Sequence, residues 1–78
     1  MRTYGFSVVL TAPALRIEEC DALYEAGCDD GTIVTRNEVT FIAFDREADS
    51  LEQAIRSATT HVRAAGLEVA RVEMPALV

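Results

Sequence analysis

Residues 31–46 read GTIVTRNEVTFIAFDR, a pattern that predicts two successive strands. β-Branched and aromatic residues, which favour strands, cluster on both sides of Arg36-Asn37, and asparagine tolerates the positive φ of a tight hairpin turn. The second of the two predicted strands is largely apolar on both faces, with Thr40, Ile42 and Phe44 on one and Val39, Phe41 and Ala43 on the other. Because strands that are apolar on both faces are typical of sheet interiors, we expect this strand to be central.

The segment that follows, ADSLEQAIRSATTHVRAAG at residues 48–66, predicts an amphipathic helix. Ser50 and Gln53 have the spacing of a capping box at the N-terminus, and Gly66 is placed to end the helix. Apolar residues recur at helical spacing and form one stripe that can pack on a sheet: Leu51, Ala54, Ile55, Ala58, Val62 and Ala65.

The N-terminal part of the chain has the same order of elements. Residues 3–10, TYGFSVVL, alternate with the period of a half-buried strand that ends before Pro13, and Tyr4, Phe6, Val8 and Leu10 share one face. A helix is predicted from Arg16 to Gly27, and its apolar stripe consists of Ile17, Cys20, Leu23 and Tyr24. A last strand, LEVARVEM at residues 67–74, is expected to end at Pro75.

The predicted order is therefore strand, helix, strand, strand, helix, strand. Right-handed crossovers in both halves give an α+β fold, a four-stranded antiparallel sheet with both helices on one face and the first and third strands in the middle. We expect residues 1–78 to form a single domain with this ferredoxin-like split βαββαβ plan.

The charge of the chain argues against two classes of partner. There are 13 acidic residues against 7 arginines and no lysine, which gives a net charge of -6. Direct nucleic-acid binding depends on neutralising phosphates, and anionic membrane surfaces repel acidic proteins, so we expect neither. No apolar run approaches the roughly 20 residues of a membrane helix, and the start lacks signal-peptide character. We expect a cytoplasmic protein whose Cys20 and Cys28 are free thiols.

The stretch YEAGCDDGTI at residues 24–33 is the one that most resembles a chemical site. Metal sites need three or four converging donors, but the chain has one histidine and no CxxC motif. Turn chemistry explains each residue: Gly27 caps the helix, Cys28 is a small buried residue, and Asp29-Asp30-Gly31 form a polar turn. His61 is expected to be half-exposed near a helix C-terminus. We therefore predict no catalytic, cofactor-binding or metal-binding residue.

Two sets of residues are candidates for binding a protein partner. The uncovered face of the sheet would present an apolar patch that includes Val9, Val39, Phe41 and Ala43. The acidic residues of the predicted turn and of FDREADS, residues 44–50, form the second set: Asp29, Asp30, Asp45, Glu47 and Asp49. FDREADS itself is interpreted as a solvated connection between strand and helix.

Three stretches, YEAGCDDGTI, FIAFDREADSLEQAIRSA and AGLEVARVE, resemble the N-terminal domain of small, poorly characterised bacterial helix-turn-helix DNA-binding proteins. The resemblance extends from Leu23 to Glu73. In that family an acidic pair and a short linker lead into the helix-turn-helix, whereas these 78 residues end in MPALV without one. The resemblance implies a regulatory, dimerising or partner-binding module of the kind associated with toxin-antitoxin systems.

Three functional hypotheses remain open from the sequence. The leading one is a non-enzymatic cytoplasmic module that pairs with itself or another protein through the open side of its sheet, with Phe41 as the anchor. The second is a stand-alone acidic inhibitor, of antitoxin or phage counter-defence type, that binds a basic protein surface. The third is a small dimeric enzyme of ferredoxin-like type, in which His61 and Cys28 would be the only plausible polar actors.

Overall fold

The chain folds into four β-strands and two α-helices that follow one another in the predicted order. The computed structural model describes residues 2–12 and 14–74. The elements are β1 (Arg2–Leu10), α1 (Ile17–Glu25), β2 (Gly31–Arg36), β3 (Val39–Ala48), α2 (Leu51–Ala64) and β4 (Val69–Glu73). The predicted breaks at Pro13 and Pro75 lie outside the described residues.

The four strands form one antiparallel sheet in the order β2-β3-β1-β4. The two longest strands, β1 and β3, lie in the middle, as the apolar character of both faces of β3 predicts. The hairpin between β2 and β3 turns at Asn37 and Glu38, which have φ values of 52° and 64°. The predicted turn at Arg36-Asn37 is therefore displaced by one residue, because Arg36 still pairs with Val39.

Both helices cover the same face of the sheet, and the core lies between them and that face. The sheet contributes a stacked pair, Phe6 and Phe44, whose ring centroids are 5.6 Å apart. From α2 the buried residues are Ala54, Ala58 and Val62, all 0% exposed. Two of these three are alanines, which let the helix lie close to the sheet. The predicted α+β architecture and the apolar stripe of α2 are confirmed.

The predicted buried stripe of α1 is wrong in its orientation. Ile17 is 78% exposed and Tyr24 is 68% exposed, whereas Leu23 is the buried residue of this helix at 1%. At 100° per residue Ile17 and Tyr24 point in nearly the same direction, and Leu23 points about 100° or more away from both. The nine-residue helix thus packs through a single large side chain, and the side centred on Leu23 faces the core.

Both helices are capped at their ends, and of the capping box predicted for α2 only the bond to the Ser50 side chain forms. In α2 the Gln53 N–H donates to Ser50 Oγ at 3.2 Å, and in α1 the Arg16 N–H donates to Glu19 Oε1 at 2.9 Å. Gly27 and Gly66 follow the helices with φ values of 111° and 88°, a conformation that side chains disfavour. Within the described residues, neither helix has the length and apolar character needed to span a membrane.

Candidate functional site

Arg46 is the least expected feature of the structure, because it is a basic residue on the core side of the central strand. It is 7% exposed, whereas its neighbours Asp45 and Glu47 are exposed. The interpretation of FDREADS as a connecting loop is wrong for these residues, since β3 continues to Ala48. Its last residues pair with the beginning of β1, where Tyr4 lies opposite Arg46 and Arg2 opposite Ala48.

Every N–H of the Arg46 guanidinium has an acceptor. Nε donates to Asp30 Oδ2 and Nη2 to Asp30 Oδ1, both at 2.8 Å, and Nη2 also donates to the Gly27 carbonyl at 2.8 Å. Nη1 donates to Ser57 Oγ and to His61 Nδ1, each at 3.1 Å. A guanidinium carries five N–H groups, so these five contacts leave none for an external anion. We call Arg46 and these four partners the Arg46 cluster.

The Arg46 cluster joins three parts of the chain. Gly27 and Asp30 belong to the loop between α1 and β2, Ser57 and His61 to α2, and Arg46 to β3. The guanidinium carbon also lies 5.0 Å from the centroid of the Phe44 ring, within cation–π range. Because α1 packs through one large side chain, this cluster is the main polar attachment of the loop that follows it.

The opposite charges of Arg46 and Asp30 each stabilise the ionised form of the other residue. Hydrogen bonds from Arg46 lower the pKa of Asp30, against the opposing effect of burial. The same contact with Asp30 raises the pKa of Arg46. Burial raises the pKa of the neighbouring Cys28 thiol, and the positive charge of Arg46 offsets only part of this effect. Cys28 is 6% exposed, and both it and Cys20 are free cysteines.

Ser57 and His61 are held by the cluster and do not form a nucleophile–base pair. A guanidinium only donates, so His61 Nδ1 is the acceptor in its contact with Arg46. The Ser57 hydroxyl accepts from Arg46 and donates to the Ala54 carbonyl at 3.1 Å, not to His61. His61 is half-buried, close to what the sequence predicts, but its contacts were not predicted.

A cleft of about 430 Å³ lies beside the Arg46 cluster. The acidic residues that line it are Asp29, Asp30, Asp45 and Glu47. Asp30 is neutralised by Arg46, so the other three give the cleft its negative charge. Among residues 2–12 and 14–74, no three His, Cys, Asp or Glu side chains are placed to hold a metal ion.

The side of the sheet that the helices leave uncovered is ordered into two adjoining rows, which we call the open sheet face. The large row runs across the four strands as Val34, Phe41, Val9 and Arg71. The small row lies two residues away from the large row on each strand and runs as Thr32, Ala43, Ser7 and Glu73. Phe41 and Ala43 are half-buried, and Val39, at the end of the face, is 42% exposed.

The charges on the open sheet face are separated along the strands. Asp45 and Glu47 lie beyond the small row, and Arg36 lies beyond the large row, opposite Val39. Within the rows, Arg71 Nε is 2.9 Å from Glu73 Oε2 in a half-exposed ion pair. The face therefore has an acidic end, a basic end and an apolar centre.

The structure brings together some of the predicted partner-binding residues and separates others. Val39, Phe41, Ala43 and Asp45 share the open sheet face with Glu47. Val9 also lies there, with Phe41 and Arg71 as its register partners, but at 3% exposure it offers little surface.

The remaining acidic candidates lie elsewhere. Both carboxylate oxygens of Asp30 accept hydrogen bonds from Arg46, so the charge of this candidate is already paired within the chain. Asp29 lines the acidic cleft, and Asp49 lines an adjoining cleft of about 550 Å³. Arg46 was missed by the sequence reasoning. The alternation of β3 was the signal that could have revealed its inward position, because a strand that buries Thr40, Ile42 and Phe44 also places residue 46 on the core side.

Comparison with protein-family models, curated proteins and solved structures gave no significant match. The features of the molecule that bear on its function are therefore the open sheet face, the Arg46 cluster and the acidic cleft.

Proposed function

We propose that this protein is a non-enzymatic interaction or dimerisation module that binds a protein partner through the open sheet face. The observation that carries the proposal is the one-sided architecture: both helices pack on one face, and the other presents Phe41 and Ala43 at its centre. An aromatic side chain in the middle of a flat surface with charged residues at its margins is the usual composition of a protein interface.

The fold supports the same proposal. The strand order β2-β3-β1-β4 with two helices on one side is the arrangement expected of a ferredoxin-like βαββαβ domain, which leaves one sheet face for partners. The resemblance to the N-terminal domain of bacterial helix-turn-helix proteins agrees with a regulatory role. Within that role the chain would supply assembly and another segment or protein would supply DNA recognition.

The Arg46 cluster supports a structural rather than a chemical role for the polar interior. The only histidine accepts a hydrogen bond from an arginine whose donors are all used, and Cys28 is buried with a raised pKa. Neither group has the properties of an activated catalytic residue. A small enzyme based on His61 and Cys28 therefore has less support than an interaction module.

The proposal is tested by a matched pair of substitutions, Phe41→Asp and Tyr24→Asp. Each replaces an aromatic residue by the same charge, but Tyr24 lies on the exposed side of α1, away from the sheet. We expect Phe41→Asp to abolish complex formation in sedimentation velocity and in capture with purified partners, and Tyr24→Asp to leave it unchanged. Circular dichroism checks that both variants fold. Complexes that tolerate Phe41→Asp would refute the proposal.

A second candidate is an acidic inhibitor that binds a basic surface through the acidic cleft. The observation that favours it is the convergence of Asp29, Asp45 and Glu47 at one cleft in a chain of net charge -6. Such binding would weaken steeply with salt, because association between opposite charges is screened. The triple substitution of these acids by Asn or Gln would abolish it, whereas Phe41→Asp would not.

A further inference from the structure

We infer that the partner on the open sheet face is a second copy of this chain, docked with its strands antiparallel to those of the first. This inference rests on the proposed function and specifies its partner. In this arrangement Phe41 of each copy packs over Ala43 of the other. Three properties of the face support this arrangement: the shape of the two rows, the symmetry of a pair of identical faces, and the positions of the charges.

The first reason is shape. Same-face residues on one strand are about 6.8 Å apart, so the large row and the small row lie side by side as a ridge and a step. The centre of the ridge is Phe41, beside the nearly buried Val9, and the centre of the step is Ala43 with Ser7. A surface of this kind packs well on a second copy only when the ridge of each lies over the step of the other.

The second reason is symmetry. Two identical faces that pack against each other are related by a two-fold axis in the plane between them. An axis parallel to the strands places each row over the same row, so that Phe41 lies over Val9 of the other copy and not over the step. An axis perpendicular to the strands and between the rows places the large row of each copy over the small row of the other. Phe41 then lies over Ala43, and Val9 over Ser7.

The third reason is charge. The perpendicular axis places Arg71 of one copy opposite Glu73 of the other, in both directions. The two half-exposed ion pairs within the copies then become one network of four alternating charges. The perpendicular axis also places Asp45 of one copy opposite Val39 of the other, next to Arg36 on the adjoining strand of that second copy. The parallel axis would instead superimpose the acidic ends, which costs affinity.

The size of the face sets the concentration at which the dimer should form. Four strands at about 4.8 Å and four rows at about 6.8 Å give a contact on the order of 500 Å² per copy. Stable interfaces bury about 800 Å² per partner, so the contact falls in the size class of weak, reversible complexes.

Sedimentation velocity of the intact chain, at protein concentrations from about 1 μM to about 1 mM, tests the charge match, meaning the contacts between Arg71 of one copy and Glu73 of the other. We expect R71E and E73R each to raise the dissociation constant about tenfold, because each turns both intermolecular contacts into like-charge contacts. The swapped variant R71E/E73R restores opposite charges in both intermolecular contacts. Its dissociation constant should therefore be close to that of wild type. Single variants that associate as tightly as wild type would overturn the charge match.

A mixed sample of isotope-labelled and unlabelled protein tests the orientation directly. In a filtered nuclear Overhauser experiment, which records contacts between copies only, we expect Phe41 ring protons to contact the Ala43 methyl group. Phe41–Val9 contacts in a dimer that Phe41→Asp disrupts would overturn the antiparallel arrangement and retain the proposed function. A chain that stays monomeric at about 1 mM would overturn self-association. The proposed function would then be decided by Phe41→Asp in complexes with another protein.

Discussion

Asp30 and Arg46 are 16 residues apart in the chain and meet in a two-contact ion pair, with both carboxylate oxygens 2.8 Å from guanidinium nitrogens. Arg46 is nearly buried, with 8% of its side chain exposed, and Asp30 retains 31%. The pair fixes the turn between α1 and β2 to the central strand. It therefore connects the weakly packed first helix to the rest of the fold.

Replacing Arg46 by Met should destabilise the protein by about 3 kcal/mol, because removing one partner of a buried pair leaves the other uncompensated. Partial exposure of Asp30 places the expected cost at the lower end of the usual range for such pairs. Urea denaturation followed by circular dichroism measures the free energy of unfolding.

The matched control is Arg56→Met, which removes the same side chain from an exposed pair with Glu52. The side chains of that pair are 74% and 77% exposed, so solvent screening limits its contribution to about 0.5 kcal/mol or less. Equal losses of stability in the two variants would show that the Arg46 cluster has no special structural role.

Stability should fall in acid partly through Asp30. Its folded-state pKa is below the ordinary value of 3.8, so its contribution is fully present above that pH. The contribution is lost as the pH falls through the lower folded-state pKa. The difference in unfolding free energy between wild type and Asp30→Asn should therefore be largest near neutral pH and narrow toward pH 3. A difference that does not change with pH would contradict this role.

The fold was largely predictable because its signals are local. Alternation in β1 and β3, the stripe of α2, and the glycines that end both helices each lie within one stretch of sequence. The inward side of α1 was not predictable in the same way. Ile17, Cys20, Leu23 and Tyr24 have helical spacing, but only tertiary packing determines that Leu23 alone is the anchor.

The Arg46 cluster could be predicted only in part. The register of β3 places Arg46 on the core side, and this much follows from alternation. Its partners come from a loop and a helix that are 11 to 19 residues away in sequence, and no local pattern links them. The apolar centre of the open sheet face was predictable because both contributing strands alternate. The near-complete burial of Val9 was not, because alternation assigns a residue to a face but does not give its exposure.

The two free cysteines should differ in reactivity. Cys28 is buried and burial raises its pKa, so little thiolate is exposed to a reagent, whereas Cys20 is half-buried on α1. At neutral pH we expect Cys20 to be alkylated at least about tenfold faster than Cys28, as followed by mass spectrometry. In Arg46→Met the labelling of Cys28 should accelerate, because the loop that covers it loses its attachment. Comparable rates for the two cysteines in wild type would contradict the burial of Cys28.

The glycines after the two helices should differ in their tolerance of alanine. Both have positive φ, 111° at Gly27 and 88° at Gly66, so Ala incurs backbone strain of about 1 kcal/mol at either position. At Gly66 a Cβ would have no atom within 4 Å, whereas at Gly27 it would lie 2.9 Å from His61 Nδ1. That nitrogen accepts from Arg46, so displacing the imidazole also removes a contact of the cluster. We expect Gly27→Ala to cost about 2 to 3 kcal/mol and Gly66→Ala about 1 kcal/mol in urea denaturation. Equal costs would mean that His61 moves aside freely and contributes little to holding Arg46.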